Sequence, residues 1–310
     1  MLRDQALADP SLWLLDPEID FLNHGSFGAC PKSGLEFQPG LRDRLEHQPV
    51  QFLVRELEGE LDRARAALAA FIGADPEGLV FVPNATSGVN TVLRSLEPEL
   101  REDPGCELLV SDQEYNACRN ALEVAAARSG ARIVVVELPF PCTDPQQIVE
   151  AVTSKLSRRT RLVLLDHVTS QTGMVLPVAE IVNILNQRGI ESLIDGAHAP
   201  GMLAMDLEAI GASYYTGNCH KWICAPKVAG FLSVRGDRRD VVRPLSISHG
   251  ANATLGRRSR FVVEFDWTGT YDPTAYLSVP MALEVMGGLL PGGWDALRAA
   301  NRELALEARE

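Results

Sequence analysis

Residues 162–196 read LVLLDHVTSQTGMVLPVAEIVNILNQRGIESLIDG. A short apolar run, Leu162 to Asp166, is followed by a polar turn and then by a segment from Val178 to Arg188. The apolar residues of that segment fall three and four apart, and Gly189 stops it. A second apolar run, Ser192 to Asp195, follows at once. A helix between two short buried runs is a strand–helix–strand unit, and such a crossover sets its two strands parallel.

The same alternation fills most of the chain on either side of this unit. An amphipathic helix spans Val54 to Phe71, with Leu57, Leu61, Ala64, Leu68 and Phe71 on one face and Gly73 as its stop. Then come strand Leu79–Val82, helix Ser87–Leu96, strand Leu108–Val110, helix Asn116–Arg128 closed by Gly130, and strand Arg132–Val136. Asp144-Pro145-Gln146-Gln147 opens a further helix, with a capping acid, proline at the first helical position and glutamine three after the cap. Beyond the opening stretch, Ser213–Thr216 and Gly230–Val234 complete the strands. The class is α/β, with a mostly parallel central sheet and helices on both faces.

Composition narrows the function. With 310 residues, the chain has room for one large domain or two smaller ones. A net charge of −12 argues against nucleic acid and against an anionic membrane surface, both of which select basic faces. No apolar run approaches the roughly 18 residues of a membrane span. The opening MLRDQALADPSLWLLDPEID is acidic and broken by Pro10 and Pro17, unlike the apolar core of a signal peptide. Six scattered cysteines do not make a disulfide framework; reduced thiols in the cytoplasm are expected.

In open α/β sheets ligands bind beyond the carboxyl ends of the strands. The residues there are unusually polar: Pro83 to Gly88, Ser111 to Asn116, Asp166 to Ser170, Asp195 to His198, and Thr216 to Lys221. Half of the histidines lie in these segments. The Asn84–Gly88 turn, with small residues before a helix, suits a phosphate, although an ordinary cap by Thr86 or Ser87 would look the same. No G-x-G-x-x-G follows a strand and no P-loop lysine is present, which disfavours nucleotides. Asp195 ends one strand and Lys221 lies 26 residues on, just past the next. A buried aspartate can hold a protonated pyridine nitrogen, and a lysine amine can form a Schiff base with an aldehyde. Phosphate cradle, strand-end Asp and strand-end Lys are together the parts that hold pyridoxal 5'-phosphate (PLP).

Four segments carry a resemblance: Phe21–Gly28 (FLNHGSFG), Asn84–Asn90 (NATSGVN), Asp195–Gly201 (DGAHAPG) and Thr216–Trp222 (TGNCHKW). They resemble the class V aminotransferase family of fold-type I PLP enzymes, and within it the isopenicillin N epimerase-like branch, from about Trp13 to the C-terminus. The resemblance implies that Lys221 carries the cofactor as a Schiff base, that Asp195 pairs with the ring nitrogen and that His198 meets the phenolate oxygen. It further implies that Ala85, Thr86, Asn218 and His220 hold the phosphate. Tyr115 stands where relatives stack a histidine on the ring, and Ser170 where many carry an asparagine. Gly269-Thr270 resembles a segment that reaches the neighbouring subunit's phosphate, implying a homodimer with shared sites. Asn23 and His24 resemble the strip lining the substrate mouth.

The implied domains are an N-terminal arm (1–20), a large PLP-binding domain (21–275) and a linking helix that starts an incomplete small C-terminal domain (276–310). The implied activity is Cα proton abstraction from an amino acid, of epimerase or aminotransferase type. Lys221 serves one face, and Tyr115, His24 or a neighbouring subunit's group serves the other. The alternatives are a C–S lyase or cysteine desulfurase-like enzyme, or a truncated PLP-binding protein with little catalysis. None of the six cysteines falls where desulfurases of the family carry their nucleophile. No metal is expected, because Cys219, His220 and Cys224 match no zinc spacing. His167 is expected to be a satisfied residue behind the cofactor, and Arg257-Arg258-Ser259-Arg260 a solvated loop, with a dimer contact as the second reading.

Overall fold

The computed structural model describes residues 9–309, so the first eight residues of the N-terminal arm, and Glu310, lie outside the described residues. Seven strands form one sheet: β1 (Leu79–Val82), β2 (Glu107–Ser111), β3 (Arg132–Val136), β4 (Thr160–Asp166), β5 (Glu191–Gly196), β6 (Tyr214–Asn218) and β7 (Gly230–Val234). Their spatial order is β1-β7-β6-β5-β4-β2-β3. Strands β2 to β6 pair in parallel, whereas β7 runs antiparallel to both β6 and β1. The exception has a local cause. Residues 219–229 contain no helix, so no crossover can carry the chain back to a parallel start.

Alternation along the strands splits the core in two. Leu109, Val163, Leu165 and Ile194 point to one face and pack with helices Leu57–Ile72, Pro145–Ser154 and Val178–Gln187. Leu108, Val110, Leu162, Leu164 and Leu193 point to the other and pack with helices Ala85–Glu102 and Asn116–Ser129. Strands covered on both faces need the continuous apolar runs noted above.

Two helices differ from the sequence reading at their ends. The first begins with a π-turn over Phe52–Glu56 before its regular part, Leu57–Ile72, which closes on Gly73 in the left-handed region (φ 62°). Helix Ala85–Glu102 runs through Pro98 because Leu100 continues the buried face of Val89, Val92, Leu93 and Leu96.

The Arg257–Arg260 segment is not a merely solvated loop. Arg258 bridges Asp62 (2.6 Å) and Asp266 (2.7 Å) with its side chain only 18% exposed. Ser259 caps helix Arg260–Asp266, and Arg260 meets Glu264 one turn on. The segment staples two helices together. Among the described residues no helix is long and apolar enough to cross a membrane.

One close approach positions the site. Gly88, in the first turn of helix Ala85–Glu102, lies so near β6 that a Cβ would overlap Thr216 Oγ1. That hydroxyl donates to the Phe231 carbonyl at 2.8 Å inside the sheet. Gly88→Ala is therefore expected to cost about 1–3 kcal/mol by overpacking, read as a lower urea midpoint with an unchanged slope. An unchanged midpoint would mean that the helix can lift without loss.

Candidate functional site

A cleft of about 420 Å³ opens beyond the carboxyl ends of β1, β4, β5 and β6, within the size range of cofactor sites. Its walls carry Ala85, Thr86, Tyr115, Ser170, Asp195, His198, Asn218, His220 and Lys221. These nine residues come from five separate segments of the chain, and the sheet brings them together. A larger cavity of about 490 Å³ adjoins it through Pro83, Lys227 and Val228, but contains neither the strand-end carboxylates nor Lys221.

At one end, Asn84 caps helix Ala85–Glu102 by accepting from the Ser87 amide at 2.9 Å, so neither Thr86 nor Ser87 is the cap. Asn218 Oδ1 accepts from the Ala85 amide at 2.8 Å, so the end of β6 fixes the helix start. His220 Nδ1 must donate to the Ala229 carbonyl (2.7 Å), which sets its tautomer. Burial, first among several influences, holds this imidazole below its usual range. Small residues, aligned amides and a hydroxyl at a helix N-terminus form an anion cradle.

At the floor, Asp195 is fully enclosed. One oxygen accepts from the Ala197 amide at 2.9 Å and the other from the Cys118 thiol at 3.0 Å. Burial raises its pKa, while the Cys118 thiol, the Ala197 amide and Lys221 oppose that rise. Lys221 Nζ stands 3.1 Å from His198 Nε2. Burial lowers the Lys221 pKa against the pull of Asp195 and Asp166. It also lowers His198 to about 4, so His198 is neutral at pH 7. A partly desolvated amine beside a neutral imidazole is a nucleophile and proton carrier in waiting.

At the mouth, Tyr115 is 44% exposed and Ser170 sits on the rim. The N-terminal segment runs against the lysine turn so closely that a Cβ on Gly28 would overlap the His220 and Lys221 carbonyl oxygens. It brings Ser26 and Phe27, rather than Asn23 and His24, to the cleft wall. Asn23 caps the short helix His24–Phe27 through the Ser26 amide (2.9 Å). His24 lies behind, with Nδ1 3.7 Å from Cys224 Sγ. Thr270 is exposed and does not line the cleft of its own chain.

His167 is buried, with Nδ1 2.7 Å from the Tyr215 hydroxyl. All six cysteines are unpaired, and Cys219 is buried in the main core. Cys118 and Glu114, to which the sequence reading gave no role, stand within 4.8 Å of Asp195. The available signal was position, because Glu114 follows β2 as Asp195 ends β5. Lys227 enters the cleft wall, exposed, and donates to the Gly28 carbonyl.

The donor set fits PLP. An anion cradle lies at one end, an aldehyde-reactive amine lies between, and a buried carboxylate with both oxygens already oriented lies at the floor.

Comparisons with known proteins agree. The aminotransferase class-V family model matches residues 45–268. Isopenicillin N epimerase of Streptomyces clavuligerus is 38% identical over 306 residues, covering 96% of this chain and 75% of that one. L-cysteine desulfhydrase of Arabidopsis thaliana is 31% identical over 300 residues, covering 92% and 64%. Among solved structures, a C-DES mutant with glycine covalently linked to its PLP cofactor superposes with a TM-score of 0.77 at 25% identity, covering 90% of this chain and 74% of that one.

Proposed function

We propose that this chain, which belongs to the aminotransferase class-V family, removes the Cα proton of an amino acid, in the manner of an isopenicillin N epimerase-like enzyme. The fold is that of fold-type I PLP enzymes, and the cofactor is pyridoxal 5'-phosphate. When bound, PLP supplies an aldehyde that condenses with amines and a ring that withdraws electrons.

The rest is the work of the chain. Thr86, Ala85, Asn218 and His220 hold the phosphate, and Tyr115 covers the ring. Asp195 keeps a negative charge at the ring nitrogen. His198 and Ser170 serve the phenolate side. Lys221, whose amine would hold the cofactor, would take the Cα proton of the substrate on its own face. The observation that carries this reading is the pairing of Lys221, its ammonium weakened by burial, with enclosed Asp195 in one cleft.

Thr270, exposed and away from its own cleft, supports a homodimer in which each chain completes the other's site. Phe27, Val228 and Leu245, large and exposed beside the two cavities, give that contact an apolar surface. The unpaired cysteines support a reducing compartment, the cytoplasm. Residues 21–275 form the cofactor-binding domain in this reading.

A C–S lyase is the second reading, favoured by the similarity to the desulfhydrase. It uses the same first step, since the Cα proton goes to Lys221 before the Cβ–S bond breaks and the thiol leaves. Incubation of the PLP-loaded protein with candidate amino acids in deuterated water, followed by NMR and chiral analysis, separates the readings. Deuterium at Cα with inversion is expected for an epimerase, and deuterium with retention for a transaminase-type half-reaction. Pyruvate and sulfide from cysteine would replace the first reading by the second. No exchange with any amino acid, in protein that holds PLP, would leave a binding protein with little catalysis.

A further inference from the structure

Three carboxyl side chains converge beneath the cleft from neighbouring strands. Asp166 and Asp195 are register partners at the ends of β4 and β5, so their side chains share one face. Glu114 enters from the turn after β2, the strand on the other side of β4. Glu114 is 5% exposed, and neither of its oxygens has a hydrogen-bond partner among the described residues. Asp166 Oδ2 also lacks one. A Glu114 oxygen, Cys118 Sγ and an Asp195 oxygen lie within 4.8 Å of one another, all buried. Unsatisfied buried polar atoms are rare in native proteins, and two on one carboxyl ask for an explanation.

Three negative charges cannot share such a volume, because carboxylates this close and this dry take up protons instead. The surroundings decide which ones. Burial raises Glu114, the charges of Asp166 and Asp195 raise it further, and the Tyr115 amide and Arg119 guanidinium oppose too weakly. Burial and Asp195 raise Asp166 against its own amide and Lys221. Asp195 alone has both oxygens engaged, by the Cys118 thiol and the Ala197 amide, with Lys221 nearby. Cys118 remains a thiol, because burial and the acids around it disfavour the thiolate. One negative charge therefore settles on Asp195. A protonated carboxyl is a donor, and an Asp195 oxygen lies within 4.8 Å of a Glu114 oxygen.

We propose that Glu114 is a positioning residue of the cofactor site: as the neutral acid it keeps its proton, offers that O–H as a hydrogen bond to Asp195 and so keeps the single charge of the cluster on Asp195. The proposal deepens the functional reading above and rests on Asp195 being the partner of the cofactor ring nitrogen. It assigns a role to a residue that need touch neither cofactor nor substrate.

The test compares wild type, Glu114→Gln and Glu114→Ala in the full chain, with and without PLP. Glutamine keeps a neutral donor, and alanine removes it. The infrared spectrum of the PLP-free protein should show buried carboxylic-acid carbonyl absorbance from Glu114 and Asp166, of which both variants lose the Glu114 component. With PLP bound, the glutamine variant should keep the wild-type affinity and pH profile of cofactor absorbance. In the alanine variant Asp195 takes up a proton more readily, so the acid-side spectral transition should move up by roughly one pH unit. Its affinity for PLP should fall roughly ten- to a hundredfold, as when supporting partners are removed elsewhere. If the alanine variant does not fold, Glu114→Met fills the space without a donor and replaces it. A glutamine variant that behaves like alanine, an alanine variant that behaves like wild type, or an acid band unchanged by substitution would overturn the proposal. Failure of the wild type to take up PLP would sink the functional reading and the proposed role with it, while the infrared band would still report the proton on Glu114.

Discussion

Lys221→Ala is expected to abolish covalent attachment of PLP and to lower Cα–H exchange by roughly 10⁴-fold or more, beyond the 10²–10⁴ that a positioned proton carrier alone contributes. A lysine attacks an aldehyde only as the free amine. Burial lowers the Lys221 pKa, so the neutral form is present at lower pH than in an exposed lysine, and attachment should follow that titration. Borohydride reduction of loaded wild type, followed by peptide mapping, should place the label on Lys221, and Lys221→Ala should carry none. Lys227 is the internal control. It lines the same cleft, but it is exposed and its ammonium donates to the Gly28 carbonyl. A label on Lys227 would overturn the assignment and move the reactive centre toward the adjoining cavity.

The parts of this arrangement that were legible are those encoded in local pattern. Strand ends carry the site in an α/β sheet, so finding the strands located Asp195, Lys221 and the Asn84–Gly88 turn without knowing strand order. Strand direction was legible only where a helix intervened. Between Asn218 and Gly230 the lysine turn replaces a helix, and β7 comes back antiparallel with no periodicity to announce it. Contacts across the sheet left no trace either. Cys118 reads as one turn of an amphipathic helix, yet its thiol reaches an aspartate 77 residues away. The arginine cluster misled for the same reason: Asp62, which binds Arg258, is 196 residues distant. Asn23 and His24 were placed by motif, whereas the backbone turns Ser26 and Phe27 to the cleft wall.

Asp195→Asn is expected to separate stability from function. Asparagine has the same shape and can still accept from the Ala197 amide, so the turn after β5 should persist. It also removes a buried carboxylate whose charge burial disfavours, and one of three acids crowded beneath the cleft. Replacing a buried charged group by a neutral isostere relieves a desolvation cost, so the melting temperature of the PLP-free variant should be no lower than that of wild type. Turnover should move the other way. Without the carboxylate the ring nitrogen loses the charge that keeps it protonated, and loss of one preorganised electrostatic contact costs about 10²–10³ in rate. PLP should still bind, because the cradle at Asn84–Thr86, the His220 and Asn218 contacts and Lys221 are intact. A residue that only capped its turn would give the reverse pattern, with near-normal exchange and a lower melting temperature, and that outcome would remove Asp195 from the chemistry. Fold and activity make opposite demands on this carboxylate, which is why it is the position where the two can be measured apart.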